Sequence, residues 1–490
     1  MTMYRSPSKR KQLVQRTIVY VIMSVAVASL VTLLVFVMLG YQFNRSDGKI
    51  EQGGLVQFDS KPSGASVTID GMAFGARTAS KTTMIAGQHF ITMEKSGYRT
   101  WQKSIDVTAG SVLWLNYTRL IPTTITPQNI VQYAAITGAL ASPDHKWMAI
   151  KEDAASSQIL LEDVSGDTVA SKTIEIPASS YAHPADPKNQ SFTFVSWDAD
   201  SRYLLVKHTY DTSHTEWLLI DSQNSATTKN ISTLLDINPS KVLFSGSNAM
   251  TLYAQIDTDV RKIDLNAATL SRPLITNVAD FSLYNDTDIA YTTLLDQETK
   301  TRSVGYYRDG ATAPRVVRSY TDDGQMPLKV AISNYFGDQY EAIAYGNAVE
   351  ILKGSLPSDQ TTALALHTVT TMNLPGGAQY LSIKTDGRFV VAQNAGVFET
   401  YDIELQRATQ TTLKGTSDVT SELQWIDDYT VWSDRDGMVR LYEFDGANQQ
   451  EIMPVIPGFS VSVSPNGKYL YGITKTADGV YHLERVTLIL

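Results

Sequence analysis

Seven histidines, His89, His145, His183, His208, His214, His367 and His482, are the first residues to test, because imidazole serves both metal binding and acid–base work. None falls in a His-Glu-x-x-His motif or any paired helical ligand spacing. His208 and His214 (KHTYDTSHTE) are the nearest pair, and their spacing suits polar positions at a loop–strand junction rather than a metal clamp. Asp434, Asp436 and Gly437 (SDRDG), and Asp322, Asp323 and Gly324, resemble the opening of a calcium loop. Neither is followed by the bidentate glutamate that completes one, so turn chemistry accounts for both. No Gly-x-Ser-x-Gly pentapeptide is present to raise a nucleophilic serine. Cysteine is absent, which removes thiolate nucleophiles and thiolate metal sites together. Fifty Asp and Glu could supply a converging pair for glycoside cleavage, but their order in the chain marks none. Trp147, Trp197, Trp217, Trp425 and Trp432 lie in or beside apolar strand patterns, where an indole either packs the core or faces a sugar or peptide. The sequence thus assigns no catalytic, cofactor-binding, ligand-binding or metal residue and calls for no cofactor.

Any chemistry must be placed by the elements, and the most informative of these is residues 17–39, TIVYVIMSVAVASLVTLLVFVML, 23 residues without a charge. At helical rise the run spans about 34 Å, enough to cross a hydrocarbon core of roughly 30 Å. Polar backbone groups in hydrocarbon must be satisfied within the segment, which predicts a helix. The stretch before it holds Arg5, Lys9, Arg10, Lys11 and Arg16 and no acid. Basic residues stay on the cytoplasmic side, and Tyr20 and Tyr41 suit the two interfacial belts. The expectation is a cytoplasmic tail over 1–16, a transmembrane helix over 17–40 and extracytoplasmic domains after it. The competing reading is a signal-peptidase site, Ala26-Val27-Ala28 before Ser29. Cleavage there would leave the apolar 30–39 as a new N-terminus with nothing to bury it.

The chain carries 41 Lys+Arg and 50 Asp+Glu, and without the five leading cations the outer part stands at 36 against 50, a net −14. That charge argues against nucleic acid, which needs a basic footprint, and against docking on anionic lipid. It suits a protein or glycan partner, a basic one included. With no disulfides, the outer domains must stand on hydrophobic burial alone.

A polar linker is expected over 41–53. The texture then turns to β: LVQFDS, VTID, HFITMEK, WQKSIDV and SVLWLNY alternate and are bounded by Gly, Ser or Thr. Residues 54–121 therefore predict a small antiparallel sandwich or sheet. Pro62-Ser63-Gly64-Ala65, Val67-Thr68-Ile69-Asp70-Gly71, Gly75, Gly87-Gln88-His89, Gly97-Tyr98 and Trp101 resemble the PEGA domain. Ser63 stands where that family has its glutamate, and Gly75-Ala76-Arg77-Thr78 lacks the proline often found there. The resemblance implies an accessory β-module of envelope proteins with no catalytic motif.

From 123 to 490 the chain reads as all β, and it repeats. Turn tips recur as SPDHKW, DADSRY, KTDGRF and SPNGKY, with looser copies between them. Asp144, Asp200, Asn248, Asp286, Asp338, Asp386, Asp428 and Asn466 mark seven intervals of 38–56 residues, 46 on average. Each tip precedes an apolar strand, and the next strand often closes on an acid, as in ILLED and WLLID. This is the period of propeller blades, where each unit buries its faces only against its neighbours. The Ser-Pro-Asp/Asn-Gly-Lys-Tyr tips resemble the TolB-type, WD-repeat-like propeller family. The expected fold is an all-β ectodomain, a small PEGA β-sandwich plus a seven- or eight-bladed β-propeller, behind one N-terminal transmembrane helix. The expected function is a membrane-anchored envelope protein that binds or scaffolds a protein or glycan at the propeller's end face. The alternative is a propeller-type enzyme acting on carbohydrate or peptide through converging carboxylates.

Overall fold

The structure is a computed structural model that describes residues 9–44, 48–246, 248–416 and 421–490. Arg5 and the other residues of 1–8 lie outside the described residues, as does Ser247 in one of the looser tips. The chain divides into two units, Met1–Thr124 and Ile125–Leu490.

The first unit opens with a helix, Lys9–Met38, whose Gln12–Met38 portion is long and apolar enough to cross a membrane. Its large apolar side chains are exposed, so this is not a helix packed into a soluble core. The Thr17 and Thr32 hydroxyls donate to the carbonyls of Leu13 and Ala28 one turn back, which satisfies them inside the helix.

The stretch read as a linker over 41–53 instead contains paired strands. Tyr41–Asn44 pairs with the start of the long strand Lys49–Lys61, Tyr41 opposite Gln52. Its polar composition suggested a linker because this part of the strand has no apolar face to bury. Lys49–Lys61 goes on to pair with Ser80–Ile85 and Val112–Arg119, completing one sheet. A second sheet runs in the order Met72–Arg77, Ser66–Ile69, Gly87–Glu94, Trp101–Val107. The two share a core of Val56, Phe58, Val67, Ile91, Met93, Trp101, Ile105 and Leu115. The sandwich is not wholly antiparallel, because Val112–Arg119 runs parallel to Lys49–Lys61, with Leu55 opposite Val112. A parallel pair needs a long crossover, and the intervening strands supply it.

The second unit is a β-propeller of eight four-stranded antiparallel blades. Seven are built from consecutive strands, over 138–175, 190–230, 241–270, 278–321, 328–373, 380–412 and 424–454. The eighth joins three strands of 462–487 to Gln128–Tyr133, the first strand of the unit. Tyr133 pairs with Tyr481 and Gln128 with Arg485, so the two ends of the unit close one blade. A short α-helix, Ile231–Leu235, is capped by the Asn230 side chain accepting from Thr233 N–H.

The four repeated tips share one geometry. The fourth residue of each, His145, Ser201, Gly387 and Gly467, has positive φ, and its N–H donates to the carbonyl of the first. The Asp and Asn side chains of the tips accept backbone N–H groups: Asp144 from Lys146, Asp198 from Arg202 and Tyr203, Asp386 from Arg388, and Asn466 from Lys468. The acid closing the third strand then meets the basic residue after the tip, as Arg202–Asp221 at 2.6 Å and Arg388–Asp402 at 2.8 Å. Blades 2 and 6 are thereby stapled within themselves.

Candidate functional site

The first strands of four successive blades, Lys241–Ser245, Val278–Tyr284, Leu328–Tyr335 and Tyr380–Ile383, line one cavity of about 400 Å³. Their convergence identifies them as inner strands and the cavity as part of the propeller's central channel. Lys241, Asp280 and Lys329 lie near the starts of those strands, on the face where the chain enters each blade.

Lys241, Asp280, Lys329 and Glu422 supply the charge, with Tyr380 and Gln379 beside them. Lys241 Nζ donates to Asp280 Oδ1 at 2.8 Å and to the Phe281 carbonyl at 2.6 Å. Lys329 Nζ reaches Asp280 Oδ2 at 3.2 Å. One carboxylate thus bridges lysines of two other blades, linking blades 3, 4 and 5 across the channel wall. Burial pushes the Asp280 carboxyl up, but the hydrogen bonds and charge of Lys241 and Lys329 outweigh it and hold the group below the usual carboxylate range. Glu422, just ahead of blade 7, moves the other way. It lines the cavity, and desolvation by the surrounding protein raises its carboxyl; a hydrogen bond with Ser382 and the charge of Lys329 offset part of that rise. The site therefore holds one carboxylate kept ionised and one pushed towards its protonated form.

The residues weighed from the sequence lie elsewhere. His208 has no exposed surface; its Nδ1 meets Glu216 Oε1 at 2.7 Å and its Nε2 meets Gln190 Oε1 at 3.1 Å. The Gln190 amide group donates to the Ala155 carbonyl, which leaves its Oε1 turned to the imidazole, so the ring is held between strands and is closed to an outside ligand. His214 stands at the exposed end of a stack running Phe192, His208, Tyr210, His214, separated from His208 by a tyrosine ring. No group of three or more metal-ligating side chains occurs among the described residues. Asp434 accepts from Gly458 N–H at 2.7 Å and Asp436 pairs with Arg440 at 2.6 Å. Asp322 pairs with Arg302 and accepts from Gly324 N–H, and Asp323 accepts from Gln325 N–H. None of the five tryptophans lines the cavity. Trp197 and Trp217 are buried and donate to the carbonyls of Leu140 and Pro239, while Trp425 stacks on Phe389. Trp147 takes the Lys146 ammonium over its ring, and Trp432 is buried in blade 7.

Residues 54–120 match the PEGA domain family. Among curated proteins none matches the chain. Solved structures similar to it include an oligogalacturonate lyase in complex with manganese, at 12% identity and TM-score 0.40, covering 73% of this chain and 98% of that one. The β-propeller domain of Myceliophteria thermophila Cps50 (Swd1) aligns at 10% identity and TM-score 0.38, over 68% of this chain and 100% of that one. KlHsv2 with its loop 6CD replaced by a Gly-Ser linker aligns at 10% and 0.38, over 72% and 97%.

Proposed function

We propose that this protein is a single-pass, membrane-anchored extracytoplasmic binding protein. Its basic N-terminal end stays in the cytoplasm, the helix remains uncleaved, and the PEGA domain and propeller stand outside. The propeller binds a protein or glycan at the face where the chain enters its blades, with a polar group of that partner seated in the central cavity. The cavity carries this reading: Lys241, Asp280, Lys329 and Glu422 come from separate parts of the chain onto one concave surface. Full-length protein in nanodiscs, incubated with envelope extract, tests it. Retention of a defined partner should fall at least tenfold when Lys241 and Lys329 are both changed to Met. Equal retention would remove the cavity from the interface, and digestion by protease added to intact cells checks the topology.

The opposite shifts of Asp280 and Glu422 favour a second reading, a carbohydrate- or peptide-cleaving enzyme with Glu422 as acid and Asp280 as its ionised partner. Cleavage of oligosaccharide or peptide substrates, lost in both Asp280→Asn and Glu422→Gln, would replace the binding reading with this one.

A further inference from the structure

Resting on the anchored topology proposed above, we infer that the outer face of the first PEGA sheet lies on the headgroup layer of the bilayer crossed by the helix, with Val112 and Trp114 in contact with lipid. The helix is tied directly to that sheet. The Gly40 carbonyl accepts from Gly53 N–H at 2.9 Å, and Gln52 Nε2 donates to the Leu39 carbonyl at 2.9 Å. The strand Lys49–Lys61 therefore passes the helix end at Gly53, running about 13 Å to one side and about 26 Å to the other at strand rise. If it ran along the helix axis, one arm would enter hydrocarbon, carrying either Lys49 and Glu51 or Asp59 and Lys61 with it. The strand must lie across the helix, along the membrane surface.

The inner face of this sheet, with Val56, Phe58, Met84 and Leu115, is buried in the shared core. The other face alternates with it and carries Leu55, Thr83, Val112 and Trp114, with Lys81 in the same row. A side chain built on Gly40 would touch Thr83 at 3.8 Å, so the helix departs from the side of this outer face. Val112 and Trp114 are 50% and 51% exposed and stand in register with Leu55 and Gln57, two and four residues beyond Gly53. An apolar patch with one indole and one lysine beside a membrane helix has the composition of an interfacial anchor. The charge agrees: residues 54–121 hold seven Lys+Arg against four Asp+Glu, so the net negative charge of the outer part resides in the propeller.

Because the chain has no cysteine, single labels can be placed cleanly. The full chain in phosphatidylcholine nanodiscs would carry one nitroxide at Trp114→Cys, Val112→Cys, Met72→Cys or Val25→Cys. Met72, 73% exposed on the second sheet, reports an apolar position away from lipid, and Val25 reports the helix. Labels at 114 and 112 should be at least threefold less accessible to an aqueous relaxation agent than the label at 72, and more accessible to oxygen. Accessibility at both 112 and 114 equal to that at 72, with Val25 still lipid-protected, would overturn the surface contact alone. An exposed Val25 label would instead bring down the anchored reading, and this inference with it.

Discussion

Glu341 sits in the second strand of blade 5, Asp338–Tyr345, with no exposed surface and no partner for either carboxylate oxygen. Ile332 and Leu352, in register on either side, belong to the apolar cluster that also contains Val304 and Tyr306 of blade 4. Arg318 is engaged with Glu350. Burial pushes the Glu341 carboxyl up to about 8, and the charge of Arg318 offsets only part of it. Above its ordinary value of 4.5 the unfolded chain releases a proton that the folded state keeps, so this group lowers stability as pH rises from there towards 8. Glu341→Gln removes that slope. The variant should match wild type near pH 4 and exceed it by about 2–4 kcal/mol at pH 8 in urea unfolding. A difference that does not grow with pH would refute the assignment. Glu341 sits inside the apolar pattern DQYEAIAY, which shows a charge in a strand but not which neighbours surround it. The cavity residues were hidden for a related reason. Lys241, Asp280 and Lys329 belong to three different blades and Glu422 to the segment ahead of a fourth, so no motif joins them.

At the scale of elements, the repeated tips were readable because their chemistry is local. A left-handed fourth position and an Asx acceptor lie within a few residues of each other. Their surroundings were not readable, and two glycines separate the effects. Gly387 and Gly467 both have positive φ, which costs a residue with a β-carbon about 1 kcal/mol. A β-carbon at Gly467 meets nothing closer than Ile489 at 3.9 Å, whereas at Gly387 it would strike the Asn334 carbonyl of blade 5 at 2.3 Å. Gly467→Ala should therefore cost about 1 kcal/mol and Gly387→Ala about 2–4 kcal/mol, because a neighbouring backbone must also move. Equal shifts in the urea midpoint would show that the blade 5 contact is immaterial. In the smaller unit, Met72–Arg77 and Ser80–Ile85 escaped notice, since MAFGAR and SKTTMI lack a clear period-two pattern. The pairing of Tyr41–Asn44 with the start of Lys49–Lys61 escaped for its polarity.

At the scale of the whole molecule, the propeller is held shut by residues more than 300 positions apart. Gln128–Tyr133 supplies the outer strand of the eighth blade, and Asp167 of blade 1 accepts from Lys468 and Tyr469 of blade 8 at 2.9 and 2.8 Å. Deleting 128–133 leaves Tyr481–Thr487 as an open edge and unpairs the ring. The deletion variant should lose its single cooperative unfolding transition and be cleaved first within 462–490 under limited proteolysis. An intact, protease-resistant ring would show that closure rests on blade packing alone. The sequence by itself determined the apolar helix, the small PEGA segment and a repeating β unit of about 46 residues, because length, local turn chemistry and hydrophobic period are written in neighbouring residues. The tertiary structure decided that the blades number eight, that the first strand completes the last, and that two lysines and two carboxylates share a channel. Those outcomes depend on how many twisted sheets close a ring and on which side chains then face its centre, and no stretch of adjacent residues encodes either.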